Sequence, residues 1–510
     1  MKSFKRVIAA CLILLCITGL FSGCNKSGGQ TSQGGVKEYS LFLYDATNPY
    51  SEDMPIWKVA EEKTGIRLKN VISKSVSSES AAYSTMLAGG NMPDIIGTQV
   101  KNLRELAKDG GLRPLNDLIE KHAPNLKAFF EEYPEAVKYA SFGDGNIYFI
   151  PGSINGMIDV PSQGYFIRQD WLDKLGLKTP TTIEEYHDVL MAFKTKDPNG
   201  NGAQDEVPYF SRAKSIAGLL SLFATSSSHF VNRDGEYEFG PITENYKTAM
   251  KTIAQWYKEG LIDKEIYTRN SAREQLLGQN LGGSTYDWFS STTKFNDTFA
   301  ETVPGIKLLG MLPPKNIDGK IESYASSPAL SERAWGISVH ADEDSLEELI
   351  KYFDFWMSEE GRSLMSYGVE GVSYTKGNDG EIVWSEEAHN YTSGIPNYLA
   401  SLGMLQIGTI RDESTTTLTM NESGIEAYNM YRDILIGSFP SVNYSDEESD
   451  IVDKYDSNIW TALMEQQQKW VLGEEDVDAT WDKYVKQLYS MGLQELMDAT
   501  EAAYNRYVAE

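Results

Sequence analysis

The densest group of chemically capable residues is the run Asp197-Pro198-Asn199-Gly200-Asn201-Gly202-Ala203-Gln204-Asp205-Glu206. Hard oxygen donors recur at alternate positions, and the two glycines permit a tight wrap. Calcium takes about six to eight such oxygens, and the opening D-x-N-x-N-G copies the helix-flanked loop that supplies them. The run departs from that loop at its twelfth position, Pro208, where a bidentate Glu would be needed. Asp205 and Glu206 are placed to provide the missing carboxylates, with the Ala203 carbonyl between them. Three carboxylates this close repel one another unless a cation offsets them, which favours a structural calcium ion; a polar turn without metal is the competing reading. Magnesium suits the run less, because it retains several waters.

A second group suits sugar recognition, which needs flat apolar faces for the C–H patches of pyranose rings and planar polar groups for the hydroxyls. The chain carries 10 Trp and 29 Tyr. Tyr286-Asp287-Trp288 follows Gly282-Gly283-Ser284 in a loop-like stretch that joins aromatic faces, a carboxylate and mobile backbone. Trp288 is the first candidate for a stacking platform; Leu276-Leu277 nearby also ask for a buried neighbour, so a core role stays open. Trp335 could face either cleft or core. Tyr44, Asp45 and Asn48 follow the first strand, where an α/β lobe presents loops to ligand, and Asn91 before Met92-Pro93-Asp94 is placed likewise. Turn chemistry accounts for these four equally well. Arg168 and Arg333 could grip a carboxylate on an acidic sugar, with salt bridges to nearby acids as the favoured role.

Catalytic patterns are missing. The sequence contains no G-x-S-x-G, H-E-x-x-H or G-x-x-x-x-G-K-[ST], and its five histidines are scattered. Close carboxylate pairs are inevitable among 73 acids, so a surface glycoside-active enzyme remains an alternative. A net charge of −27 makes nucleic acid and anionic membrane surfaces poor partners.

The N-terminus has the layout of a secretory signal: Lys2, Lys5 and Arg6, an apolar run from Val7 to Leu20, then Ser22-Gly23 before Cys24. The apolar run is shorter than the roughly 18 residues a confident spanning helix needs. Cleavage before Cys24 would make it the first residue of the mature chain. Cys11 and Cys16 leave with the signal, so no intramolecular disulfide is possible and the fold must rest on its own core. Asn25 to Gly35 is too polar to bury anything and reads as a flexible tether.

The elements that must position these groups alternate between strand and helix. Glu38–Leu43 is a strand, Ile56–Thr64 a helix closed by Gly65, and Ile66–Ile72 a strand. Ser80–Leu87 is then a helix, Asp94–Gly97 a buried strand, and Leu103–Lys108 a helix. Thr182–Lys194 opens on a capping box with Glu185. Asn245–Glu259 stops at Gly260 and Ser345–Ser358 at Gly361, and three helices end the chain, Ser457–Val471, Asp478–Met491 and Gln494–Tyr507. This is an α/β chain whose lobes begin with a mostly parallel sheet.

The stretch Tyr165-Phe166-Ile167-Arg168-Gln169-Asp170-Trp171-Leu172-Asp173-Lys174-Leu175-Gly176-Leu177-Lys178-Thr179-Pro180-Thr181-Thr182 resembles a signature of bacterial extracellular solute-binding proteins for sugars. Four more segments fit in the same order: the N-terminal lipid signal, Leu87 to Ile95, Arg333 to Ser338 and Gly368 to Thr375. The signal resembles those of lipoproteins, in which Cys24 is acylated, although Phe21 stands where leucine is commonest. The calcium layout looks like that of the alginate- and oligosaccharide-binding subgroup. The resemblance implies a two-lobe, periplasmic-binding-protein-like α/β fold of type II that closes on its ligand. Crossings are expected near Tyr148–Ser153, Pro328–Arg333 and Gly368–Tyr374. The implied organisation is a signal at 1–23, a tether at 24–36, a first lobe at 37–151 and 333–369, and a second at 152–332 and 370–510. It further implies a monomer that is not an enzyme, lipid-anchored outside the cytoplasm, which captures an oligosaccharide and passes it to the membrane subunits of an ABC importer. A peptide ligand or a sensing role is the alternative on the same fold.

Overall fold

The computed structural model describes residues 35–509 and a short strand at 30–31, apart from 74, 143, 233, 325–328, 392–393, 406, 419, 437–438 and 441. The expected signal and the acylation site Cys24 lie outside the described residues. No helix among the described residues is long and apolar enough to cross a membrane.

Two sheets organise the chain. The first contains β1 (Gln30–Thr31), β2 (Lys37–Leu43), β3 (Ile66–Asn70), β4 (Ile95–Gln99), β5 (Ile150–Pro151) and β13 (Arg333–Ile337). β2 pairs in parallel with β3 on one side and with β4 on the other, as the strand–helix–strand alternation requires. β13 then inserts antiparallel between β4 and β5, so a strand from far along the chain completes the sheet. The second sheet runs β11 (Leu308–Met311), β6 (Gln163–Arg168), β10 (Gly282–Trp288), β7 (Val207–Phe210). Here β10 is parallel to β7 and antiparallel to β6. Smaller pairings join β8 (His229–Val231) with β9 (Tyr237–Phe239), β12 (Ser323–Tyr324) with β16 (Leu435–Ile436), and β14 (Tyr374–Lys376) with β15 (Ile382–Trp384).

Local signals set most helix ends. Gly65, Gly176 and Gly260 all close helices in the left-handed conformation, which costs glycine no Cβ clash. The Thr182 hydroxyl accepts from the Glu185 amide, and the Glu185 carboxylate reaches back to the amide and hydroxyl of Thr181. Gly361 does not stop a helix. Ser358 ends the helix Leu346–Met357 and caps the next, Glu359–Tyr367, in whose first turn Gly361 sits. A Cβ there would lie 2.2 Å from the Phe355 carbonyl, so the residue is small because two helices meet closely.

Each sheet has its own apolar core. The first joins residues from Tyr39 to Met157 with others from Ala334 to Ile410. The second runs from Tyr165 to Met311 and takes in Ile459 to Leu496 of the terminal helices, with a satellite around Phe166, Phe289 and Tyr431. The expected boundary at 370 is therefore corrected: Ala388, Tyr398, Leu402, Leu405, Ile407 and Ile410 pack into the first core. The third crossing lies at 409–411, where Ser153 N donates to Thr409 O (2.8 Å) and Arg411 N to Ser153 O (2.9 Å). Ser331 N donates to Gly152 O (2.8 Å), so the three crossings are hydrogen-bonded side by side. A Cβ at Gly152 would lie 2.1 Å from the Ile407 carbonyl oxygen, which explains glycine at this contact.

Candidate functional site

The pocket that gathers the sequence candidates is about 340 Å³ and sits at the end of the second sheet. Parallel strands β7 and β10 end on the same edge, with Phe210 level with Thr285, and β6 begins there, with Gln163 opposite Trp288. That register delivers Ser211 and Arg212, Trp288 and Gln163 to one rim, where an α/β sheet presents ligand-binding groups. The Tyr286-Asp287-Trp288 segment is the end of a central strand rather than a loop. Its glycines serve close packing: a Cβ at Gly283 would lie 2.6 Å from the Phe193 ring and 2.9 Å from the Pro208 carbonyl.

Period-two alternation gives the three residues different surroundings. The Tyr286 ring packs edge-on against Tyr165, 5.1 Å between centroids, and its other side backs on Gly218. Asp287 is buried, with Arg273 Nε 3.5 Å from Oδ2 and Arg212 Nε 3.7 Å from Oδ1; Oδ1 also accepts from the Trp288 amide. Burial pushes this carboxyl up, opposed by Arg273, the Trp288 amide and Arg212. Trp288 is partly exposed and belongs to none of the apolar clusters, and the Arg212 guanidinium lies 5.9 Å from its ring centroid. His229 and Phe230 on β8, Tyr324 on β12 and Phe439 close the other side. Burial lowers the His229 imidazole to about 4, so it is neutral at neutral pH, 2.7 Å from the Tyr237 hydroxyl.

The remaining candidates scatter. Tyr44, Asp45 and Asn48 follow β2 at the corresponding edge of the first sheet. There Asp45 Oδ1 accepts from the Thr47 and Asn48 amides, and the Tyr44 carbonyl accepts from Arg333. Arg333 grips Glu79 with both terminal nitrogens (2.8 and 3.1 Å), and Glu79 also accepts from Thr98. Its role as a carboxylate grip gives way to this ion pair. Arg168 is 1% exposed, doubly bonded to Asp170, with Asn280 as a further acceptor and Trp171 stacked 4.5 Å away. It is a structural arginine, not a ligand residue. Trp335 is fully buried and stacked on Phe353 at 4.5 Å, so it belongs to the first core. Asn91 precedes β4, whereas Tyr44 follows its parallel neighbour β2, so Asn91 sits at the opposite edge from the ligand loops; the next amide, Met92, donates to His340.

Arg212 and Arg273 were missed by the sequence reading. Arg212 carried one signal, its position just past a short apolar strand; nothing local places Arg273, whose contact with Asp287 depends on the helix Ala272–Gly278 packing beside β10.

The 197–206 loop is wrapped as its glycines allow. Gly200 and Gly202 are left-handed, as is Asp197 at φ 46°. The Asp197 carboxylate accepts from the amides of Gly200, Asn201 and Gly202, and the side-chain amides of Asn199 and Asn201 donate to Asp205. Among the described residues no three His, Cys, Asp or Glu side chains converge on a point where they could hold a metal ion, the acids of this loop included. Among the described residues neither oxygen of the buried Glu206 has a hydrogen bond of good geometry, and burial together with Asp197 and Asp205 raises its carboxyl, opposed by the nearby Glu206 and Asn199 backbone amides. A buried carboxylate beside two further acids has the chemistry of a cation ligand.

Comparison with known proteins agrees with the architecture. The description "Bacterial extracellular solute-binding protein" matches residues 47–363. The fructooligosaccharide ABC transporter substrate-binding protein FusA of Streptococcus pneumoniae is 26% identical over 518 residues, covering 92% of this chain and 91% of that one. The polygalacturonan/rhamnogalacturonan-binding protein YtcQ of Bacillus subtilis is 24% identical over 510 residues, 97% and 98% of the two chains. Among solved structures, the alginate-binding protein AlgQ2 without calcium ion superposes with a TM-score of 0.81 at 34% identity, over 94% of this chain and 99% of that one. With a two-lobe α/β architecture and substrate-binding rather than catalytic relatives, the chain belongs to the bacterial extracellular solute-binding protein family.

Proposed function

We propose that this protein captures an oligosaccharide at the Trp288 pocket and delivers it to the membrane subunits of an ABC importer, held at the membrane by acylated Cys24 and acting as a monomer. The carrying observation is the rim itself: a partly exposed indole, a buried carboxylate and a half-exposed guanidinium within one small pocket. An indole face suits a sugar ring, and the charged groups suit its hydroxyls. Arg212 and Arg273 both face the carboxylate of Asp287, and Arg273 also lies 3.8 Å from Glu274, which leaves Arg212 as the more exposed cation at the rim. The half-exposed Arg212 guanidinium favours a sugar bearing a carboxylate, in keeping with the polymers named for AlgQ2 and YtcQ. Calorimetric titration with alginate, polygalacturonate and fructooligosaccharides tests the reading. Saturable binding without turnover is expected, tighter for the uronates and weakened by salt. Turnover of any of these sugars, or binding of peptides alone, would refute it.

The same proposal assigns calcium to the 197–206 loop, held by Asp197, Asn199, Asn201, Asp205 and Glu206 side chains and the Ala203 carbonyl. A bound cation would offset the charge of three acids and so fix the entry to β7, whose far end carries Arg212.

A further inference from the structure

Away from the pocket, two helices meet across the lobes along a line of charges. Val100–Lys108 packs Val100, Leu103 and Leu106 into the first core, and Asp446–Leu472 packs Ile459, Leu463 and Trp470 into the second. On the first helix, Lys101, Glu105 and Lys108 are spaced i, i+4, i+7 and so share one face. On the second, Asp446, Asp450 and Asp453 repeat that spacing, with Asp456 at the edge of the stripe. The contacts run antiparallel: Lys108 Nζ lies 3.1 Å from Asp450 and 3.8 Å from Asp446, Glu105 is within electrostatic reach of Asp453, and Lys101 of Asp456. Just before the second helix, Asn443 donates to the Ser141 carbonyl of the first lobe (3.3 Å), which docks the helix start there.

The seam is unbalanced. Glu105 and Asp109 on one side and Asp446, Asp450, Asp453 and Asp456 on the other make six carboxylates, against the two ammoniums of Lys101 and Lys108. Neighbouring cations are turned elsewhere: the Arg104 guanidinium lies over the Tyr139 and Phe149 rings, and Lys454 lies over the Tyr455 ring. The helix Glu79–Gly89 adds the Tyr83 hydroxyl, which donates to the Asn102 carbonyl (3.0 Å); burial pushes it up to about 12, so it stays neutral. Burial and then Asp453 raise the Glu105 carboxyl, with Lys101 opposing and Asp109 adding to the rise, and burial raises Asp456 against the pull of Lys101.

We propose that this seam is a proton-sensitive contact between the lobes of the ligand-free protein: neutralising Glu105 opposite Asp453 tightens it in mild acid, and ionising Glu105 loosens it near neutrality. A carboxyl raised in the contact holds its proton to higher pH than it does with the helices apart. The contact is therefore favoured most below the ordinary carboxyl value of about 4.3 and loses that support as pH rises through the raised value. One linked proton changes the ratio of joined to parted helices by at most about tenfold per pH unit. Glu105 and Asp453 are both exposed, so salt near 1 M, with a screening length of about 3 Å, suppresses the effect.

Solution scattering of the ligand-free protein from about pH 5 to about pH 8, at low salt and near 1 M salt, tests the seam without any sugar present. At low salt, wild type should be more compact at the acid end. Glu105→Gln and Asp453→Asn, which remove one of the two facing charges, should be compact throughout, and near 1 M salt the wild-type profile should flatten. All three substituted or neutralised positions lie on the surface, so the fold survives and the profiles are comparable. A wild-type profile that is flat at low salt, or a Glu105→Gln profile that keeps the full wild-type dependence on pH, overturns the proposal. So does a pH dependence that persists undiminished near 1 M salt.

Discussion

Truncating Trp288 to alanine separates a ligand platform from a core residue on one variant. The indole packs into none of the apolar clusters and is partly exposed at the pocket rim, so little folding energy depends on it. Among the described residues the Arg212 guanidinium lies 5.9 Å from its ring centroid, and losing that contact costs about 0.5–1 kcal/mol. A sugar ring stacked on the indole buries on the order of 100 Å² of apolar surface, about 2 kcal/mol, or roughly thirtyfold in affinity. Calorimetric titration should therefore show the thirtyfold loss, and urea unfolding without ligand a loss no larger than about 1 kcal/mol. An unfolding cost of about 3–5 kcal/mol with normal affinity in the folded fraction would refute the assignment, because that is what a buried Trp costs on truncation.

Calcium should raise the melting temperature of chelated protein, and Asp197→Ala should abolish the response; a variant that melts alike in chelator and calcium, level with calcium-loaded wild type, refutes the site. The pH dependence carries the same signature. The Glu206 carboxyl is raised in the folded protein, so without metal the folded state binds the extra proton and stability falls as pH rises above the unfolded carboxyl value of about 4.3. Calcium needs the ionised form, so its stabilisation should grow over that same rise, and a pH-independent calcium effect would count against Glu206 as a ligand. Gly152→Ala should lower stability by about 1–3 kcal/mol in urea, since the new methyl meets backbone oxygens at 2.1 and 2.8 Å; an unchanged midpoint would show that the crossings slide freely. Cys24→Ser should block acylation and release the protein or leave it unprocessed, and normal cleavage with full membrane retention would exclude a lipid anchor there.

The sequence alone determined what short-range chemistry controls. Left-handed glycines 65, 176 and 260 stop helices because a Cβ is unwelcome there, and the Thr182–Glu185 cap is closed by neighbours a few residues apart. The wrap of the 197–206 loop is likewise written in its own alternating oxygens and glycines, and the segment carrying Trp288 could be picked out by composition. Which face of a strand looks into the cleft is a matter of register, and register is set by distant partners. Trp335 is core because β13 is inserted between β4 and β5 and lays it against Phe353. Arg168 and Arg333 found acids close to them in space, so their charges are spent within the protein, while Arg212 and Arg273 converge on Asp287 only once β7, β10 and the helix between them are packed. The segment 388–410 shows the same limit, since its apolar residues could serve either core and only long-range burial assigns them to the first. Local hydrogen bonds fix where elements begin and end; the choice among apolar surfaces and charge partners is made by the whole chain collapsing at once, and that choice built the pocket.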